Sequence, residues 1–203
     1  IILGATGSIG RNTFNVLDNL NGQGYDFRVT GMSCRSRTDE LITRAHEWDV
    51  SVLAAADPAA GTDGITHTGP QAVLELLDET EADIVVNGIA GSPGLVPSIR
   101  ALEHGMDLAL ANKETVVMAG PLTFDAARKS GARILPVDSE HSAIFHLLER
   151  LERDEVSRIV ITASGGAFRS TPTEEFSRLT ARDALKHPTW DMGVKITIDS
   201  ATM

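Results

Sequence analysis

Cysteine is nearly absent: Cys34 is the single one in 203 residues. No disulfide can form within the chain, and the composition predicts a reducing compartment. A basic excess is missing too. Lysine and arginine number 18 against 28 aspartates and glutamates, a formal net charge of −10. That balance argues against a general surface for nucleic acid or for an acidic membrane. An anionic substrate would need a local cluster of donors or a metal ion, because the global field repels it. No apolar run approaches the ~20 residues that a spanning helix needs, and no internal repeat or low-complexity stretch interrupts the chain. What remains, 42% hydrophobic and 23% charged residues, is ordinary for a globular protein. The chain opens on Ile1 rather than Met and runs straight into a motif. A natural N-terminus further upstream is therefore expected, with a targeting peptide left open.

Short apolar runs alternate with segments of helical period. Strands are expected at Ile1–Leu3, Phe27–Met32, Val50–Ala54, Ile84–Asn87, Leu108–Ala111 and Ile134–Val137. Most are rich in Val, Ile and Leu with little alternation, as suits parallel strands buried on both faces. Helices are expected at Ile9–Leu20, Thr38–Trp48, Gln71–Leu77, Leu95–Glu103 and Phe124–Lys129. Gly105 and Gly131 stand where C-terminal caps belong. This βαβ repetition predicts an α/β fold, a doubly wound parallel sheet with helices on both faces. After Val137 the rhythm changes. A helix (Ser142–Arg153) and a strand (Arg158–Thr162) precede a long polar stretch, and a last strand is expected at Lys195–Ile198. Within the polar stretch, Thr171 and Glu174 around Pro172 read as a capping box, and Thr180 as the cap of a second short helix that stops before His187-Pro188. Loops this long are commonly lids or binding loops.

The run Gly4-Ala5-Thr6-Gly7-Ser8-Ile9-Gly10 sits between the first strand and the first helix. Glycines at such a turn let the backbone approach a pyrophosphate, and the helix start offers open N–H groups and a positive dipole end. The spacing G-x-x-G-x-x-G is a variant of the dinucleotide fingerprint; a tight structural turn is the competing reading. An NAD enzyme usually carries an acid at the end of the second strand. Here that position reads Ser33-Cys34-Arg35-Ser36-Arg37, with no acid before Asp39. Guanidiniums and hydroxyls suit a 2′-phosphate, so NADP is favoured, against the alternative of an exposed basic loop.

Three later strand ends carry polar groups: Asn87-Gly88, Asn112-Lys113-Glu114 and Asp138-Ser139-Glu140. Ligands of open α/β sheets sit beyond these carboxyl ends. If the chain stays extended there, Asp138 and Glu140 project to one side, about 6–7 Å apart. Such oxygens suit Mg²⁺ or Mn²⁺. The competing explanation for Asp138 is a helix start, and His141 is not counted as a ligand.

Taken in order, these residues are similar to a known family. Gly4–Gly10, Leu110–Glu114, Val137–His141, Ser164–Arg169, and His187–Gly193 through Asp199–Met203 resemble 1-deoxy-D-xylulose 5-phosphate reductoisomerases. The resemblance implies a Rossmann-like NADPH-binding domain at 1–137 and the first part of an α+β catalytic, metal-binding domain at 138–203. It implies Thr6, Gly7, Ser8 and Ile9 at the NADPH pyrophosphate, with Arg35, Ser36, Gly88, Ile89, Asn112, Glu114 and Gly193 also on the cofactor. Asp138 and Glu140 would be two of three carboxylate ligands of Mg²⁺ or Mn²⁺, the third lying past Met203. Lys113 would hydrogen-bond substrate oxygens, Ser139 would touch substrate, and Ser164, His187 and Ser200 would hold its phosphate. Trp190 and Met192 would lie on a mobile flap, and a C-terminal helical domain would be absent. The partners implied are a phosphorylated sugar substrate and a second copy in a homodimer, with no nucleic acid and no membrane. The location implied is the cytoplasm of a bacterium, or a plastid. With the third ligand missing, the chain alone is expected to be inactive.

Read without the family, His187 could simply end a helix and Trp190 could pack on the domain. Asn87 and Ala90 depart from the best-known members at the cofactor cleft, as do Ala5 and Ala167 elsewhere. Two rival readings fit the N-terminal motif alone. Another NADP-dependent dehydrogenase leaves the acidic pair and flap unexplained, and a non-catalytic NADP sensor has no use for a metal pair.

Overall fold

The computed structural model describes all residues except 59–61, 162–164, 188–192, 195–196 and 199–203. It divides into two compact units, Ile1–His146 and Leu147–Met203.

The first unit is built on a seven-stranded, all-parallel sheet. Its strands are β1 (Ile2–Leu3), β2 (Gly31–Cys34), β3 (Val52–Ala55), β4 (His67–Thr68), β5 (Ile84–Asn87), β6 (Asp107–Leu110) and β7 (Ile134–Pro136). They lie in the order β4-β3-β2-β1-β5-β6-β7. β1 is central: Ile2 is in register with Met32 on one side and Val86 on the other. The winding reverses there, which makes the crevice between the β1 and β5 ends the expected ligand site of this architecture.

Successive strand residues face opposite ways, and β1 shows the consequence. Leu3 joins a core with Leu76, Leu77, Val85, Leu102 and Leu108. Ile2 joins a second core with Phe14, Met32, Leu41 and Leu53. The helices α1 (Ser8–Gly22) and α2 (Thr38–Glu47) supply Phe14 and Leu41 to the second core. The helices α3 (Ala72–Glu79) and α4 (Leu95–Glu103) supply Leu76, Leu77 and Leu102 to the first. Two faces are thus covered, as the strand composition predicts. Phe14 is fully buried, with Trp48 tilted against it at 5.4 Å between ring centroids; Leu17 and Leu20 are half-buried at the margin. Gly105 and Gly131 both take positive φ, 78° and 83°, as helix-ending glycines do.

Several expectations need correction. β2 begins at Gly31, not Phe27. β4 is an edge strand of two residues that its polar sequence did not announce. The helix expected at Phe124–Lys129 is the end of α5 (Lys113–Ser130), kinked at Ala119. Pro121 explains the kink, since it has no N–H for the carbonyl four residues back and its ring clashes there. Residues 138–140 are not extended: α6 (Ser139–Leu148) starts at once.

In the second unit, 158–161 form no strand, and Val194, Thr197 and Ile198 are helical. An apolar run becomes a strand only with a ladder partner. Thr197 instead closes a local turn by donating its N–H to Gly193 at 3.0 Å. The first short helix is a 3-10 segment, Thr173–Arg178, entered from Pro172 with no side-chain cap. The second, α7 (Ala181–Ala184), has the expected Thr180 cap, reciprocated by Asp183.

Candidate active site

The glycine turn is held by β2. Gly4 N–H donates to Ser33 Oγ at 3.2 Å, and Ala5 N–H to the Ser33 carbonyl at 2.7 Å. Gly4 has φ +76°, and a Cβ there would stand 3.1 Å from the Gly88 carbonyl carbon. A Cβ on Gly10 would stand 2.5 Å from Ala5 Cα, and one on Gly88 would stand 3.0 Å from Ile9 Cβ. These glycines therefore serve close packing of turn, helix and β5 end. Gly7 is different: a Cβ there would meet only the Gly4 carbonyl, at 3.2 Å. Gly7 is the N-cap of α1 and no side chain caps that helix. The first-turn N–H groups at Ser8 and Ile9 thus lack an intrahelical acceptor and a side-chain cap, a donor set that fits a pyrophosphate.

At the end of β2 the two arginines have different surroundings. Arg37 donates to the Thr6 carbonyl and, at 2.9 Å, to Glu40, which also accepts from Arg11 at 3.1 Å. It braces the glycine turn against α1 and α2. Arg35 is exposed, 3.7 Å from Asp57, and Ser36 beside it is exposed as well. Such an open ion pair holds its partners weakly. Arg35 and Ser36 thus remain open to an anionic ligand at this strand end. Cys34, just before them, is buried, and burial pushes its thiol up to about 11.

Beyond β5 the chain turns through Gly88-Ile89-Ala90-Gly91 into a 3-10 turn at Ser92–Gly94 and then α4. Asn87 is wholly buried. Its Nδ2 donates to the Gly94 carbonyl (2.9 Å) and Ser98 Oγ (2.7 Å), and its Oδ1 accepts from Ile89 N–H (3.0 Å). Asn112, also buried, caps α5 by accepting from Thr115 N–H at 3.0 Å. Its Nδ2 donates to the carbonyls of Ile89 and, at 2.7 Å, Gly91. The Asn112 side chain thus acts on the loop backbone. Ser98 belongs to this group but carries no sequence signal; it is one hydroxyl on a helix face. Lys113, at the first position of α5, is exposed and Glu114 is half-buried.

Asp138 is the start of α6, as the competing sequence reading had it. Its carbonyl accepts from Ser142 N–H at 3.0 Å, and its carboxylate accepts from His141 N–H at 2.9 Å. The His141 ring lies 2.6 Å from Asp138 Oδ2. Glu140 accepts from Ser139 Oγ at 2.8 Å. On a helical start, i and i+2 do not share a face, so the two carboxylates are not aligned as an extended chain would align them. Among the described residues no group of three His, Cys, Asp or Glu side chains is arranged to hold a metal. The donor chemistry nevertheless fits a hard cation, because Mg²⁺ is commonly held by one or two carboxylates with water completing the shell.

In the second unit His187 is half-buried and Gly193 exposed. Ser164, Trp190, Met192 and Ser200 lie outside the described residues.

The model of the 1-deoxy-D-xylulose 5-phosphate reductoisomerase family matches residues 1–120, and the model of that enzyme's C-terminal domain matches residues 134–203. The chain belongs to this family. A reductoisomerase of Treponema denticola is 44% identical over 204 residues, covering 100% of this chain and 52% of the relative. One from Crocosphaera subtropica is 42% identical over 213 residues, covering 100% and 53%. Among solved reductoisomerases, the Zymomonas mobilis enzyme in complex with NADPH superposes with a TM-score of 0.84 at 37% identity, over 99% of this chain and 53% of that one. A complex with NADPH, fosmidomycin and magnesium superposes at 0.87 and 32% identity, over 99% and 53%. The chain spans about half the length of the reductoisomerases it matches. The first family match ends at residue 120, beside the α5 kink, and the second begins with β7.

Proposed function

We propose that the protein is an NADPH- and divalent-metal-dependent reductoisomerase. The whole protein, of which this chain represents about half a family member's length, would convert 1-deoxy-D-xylulose 5-phosphate into 2-C-methyl-D-erythritol 4-phosphate, a step of non-mevalonate isoprenoid biosynthesis. The observation that carries the reading is the uncapped start of α1 at the winding reversal of the sheet, together with the family match.

The open N–H groups at Ser8 and Ile9, with Thr6 and Gly7, receive the pyrophosphate. Arg35 and Ser36 take the 2′-phosphate, with Arg35 leaving its loose partner Asp57. Gly88, Ile89, Asn112, Glu114 and Gly193 frame the nicotinamide half, Asn112 through the loop backbone. Lys113 donates to substrate oxygens and stabilises negative charge as it develops there. Ser139 orients the substrate, and Ser164, His187 and Ser200 hold its phosphate. Trp190 and Met192 close over it and exclude water. Asp138 and Glu140 would hold Mg²⁺ or Mn²⁺, which would supply a Lewis acid for adjacent substrate oxygens. The functional boundary is placed at 137/138, and the assembled enzyme is a homodimer acting in the cytoplasm.

The test begins with the chain itself. Nicotinamide fluorescence should report NADPH binding much tighter than NADH, and Arg35→Ala should weaken NADPH by about tenfold or more while leaving NADH nearly unchanged. Equal affinity for the two dinucleotides would refute the 2′-phosphate assignment. In the full-length enzyme, oxidation of NADPH driven by 1-deoxy-D-xylulose 5-phosphate should stop when divalent ions are chelated. Persistence under chelation would refute the role of the metal.

A further inference from the structure

Ile89 is gripped at both ends of its peptide environment by side-chain amides from two different strand ends. Its N–H donates to Asn87 Oδ1 at 3.0 Å, and its carbonyl accepts from Asn112 Nδ2. Asn87 is the last residue of β5 and Asn112 lies two residues beyond β6. Both are at least nine-tenths buried. Their remaining capacity is used on the same loop: Asn87 reaches the Gly94 carbonyl and Ser98 Oγ, and Asn112 reaches the Gly91 carbonyl. Ser98 Oγ in turn donates to the Gly94 carbonyl at 2.8 Å. The loop has no room to shift toward them. A Cβ on Gly94 would collide with Asn112 Nδ2 and stand 2.8 Å from the Ile89 carbonyl.

On its other side the loop meets the glycine turn, where Gly88 lies against Ile9 and Gly4 against Gly88. Because its N–H is donated to Asn87 and its carbonyl already accepts from Asn112, Ile89 meets a ligand chiefly through its side chain. A wall of this kind packs against a ring; it does not hydrogen-bond to one. The β2 end carries the adenine-side groups Arg35 and Ser36, so the β5–β6 side of the reversal is the nicotinamide side of the crevice.

We propose that Asn87 and Asn112, backed by Ser98, are positioning residues that clamp the 88–94 loop and set the nicotinamide-side wall of the cofactor cleft. The inference rests on the reading that the cleft takes NADPH. The task it assigns the two asparagines is carried out through the loop backbone.

Asn112→Ser is the discriminating variant. Serine is a good helix cap and can still accept from Thr115 N–H, but it is too short to reach the Ile89 and Gly91 carbonyls. Affinities of the full 203-residue chain for NADPH and for 2′,5′-ADP, which carries only the adenine side, would be measured for both proteins. The variant should lose about tenfold in NADPH affinity, the equivalent of one or two lost hydrogen bonds, with 2′,5′-ADP affinity unchanged. Ser98→Ala, a milder change, should produce the same split at about threefold. Equal losses for both ligands, or no loss for either, would overturn the clamp, since a generally weakened fold does not distinguish the two halves of the cofactor. If Asn112→Ser does not fold, the Ser98→Ala split alone decides. Should the unaltered chain bind neither ligand, the NADPH reading itself fails, and the clamp with it.

Discussion

At position 10 a methyl group would stand 2.5 Å from the Cα of Ala5, whereas at position 7 it would meet only the Gly4 carbonyl at 3.2 Å. Two glycines of one motif thus do different work, and their alanine variants should separate. Gly10→Ala forces backbone apart and should cost about 1–3 kcal/mol, the range for overpacking. Gly7→Ala should cost clearly less, and denaturant midpoints of the two proteins give the comparison. If Gly7→Ala proves the more destabilising, the packing assignment is wrong. Cys34 offers a second residue-scale test. With the thiol buried and pushed up to about 11, little thiolate exists at pH 8. Labelling by a disulfide reagent should be slow in the native chain and fast in denaturant. The glycine run, Arg35 and the asparagines were all visible as residue types in the sequence. The hidden part was which groups each one reaches. Arg37 and Arg35 look alike on paper, yet one is tied to the Thr6 carbonyl and the other faces outward. Only tertiary placement separates them.

Among elements, β6 and β7 are joined by more than their ladder. Asp107 accepts from the Arg133 N–H at 2.7 Å and from its guanidinium at 2.8 Å. Those hydrogen bonds hold the Asp107 carboxyl below the usual carboxylate range. The unfolded value is about 3.9. A depressed folded value means that the contribution is fully present above that pH and is lost as pH falls through the folded value. Asp107→Asn should therefore lower stability at pH 7 and flatten its decline below about pH 4. Denaturation series at pH 7 and pH 3 test this, and parallel declines in both proteins would refute it. Elements with strong apolar period were legible. α4 falls on its expected bounds, and β5 does too. Three kinds of element were not. β4 is short and polar, so it lacks the apolar signal. The front of α5 contains Val116, Val117, Gly120 and Pro121, which read against helix, yet the Asn112 cap starts it regardless. The run at 158–161 has strand composition but no ladder partner among the described residues, and composition alone does not make a ladder.

For the molecule as a whole, all seven strands and both cores lie within Ile1–His146. Residues 1–146 produced alone should unfold cooperatively and keep undiminished affinity for 2′,5′-ADP. A molten, non-cooperative product would show that the division is not an independent folding unit. The doubly wound class followed from βαβ alternation, because crossovers are right-handed and parallel strands need covered faces. The acidic pair was harder to read. The expectation of an extended chain failed where Asp138 opened α6. A carboxylate at the head of a helix is stabilised there by N–H groups, and the sequence pattern of a cap and of a ligand is the same.

One amide has two tasks that are usually kept apart. Asn112 Oδ1 anchors the first turn of the helix on which Lys113 rides, while its Nδ2 holds the loop bearing Ile89. The helix start that carries Lys113 and the loop that carries Ile89 are accordingly tied to one side chain, so a shift of either backbone is passed on to the other.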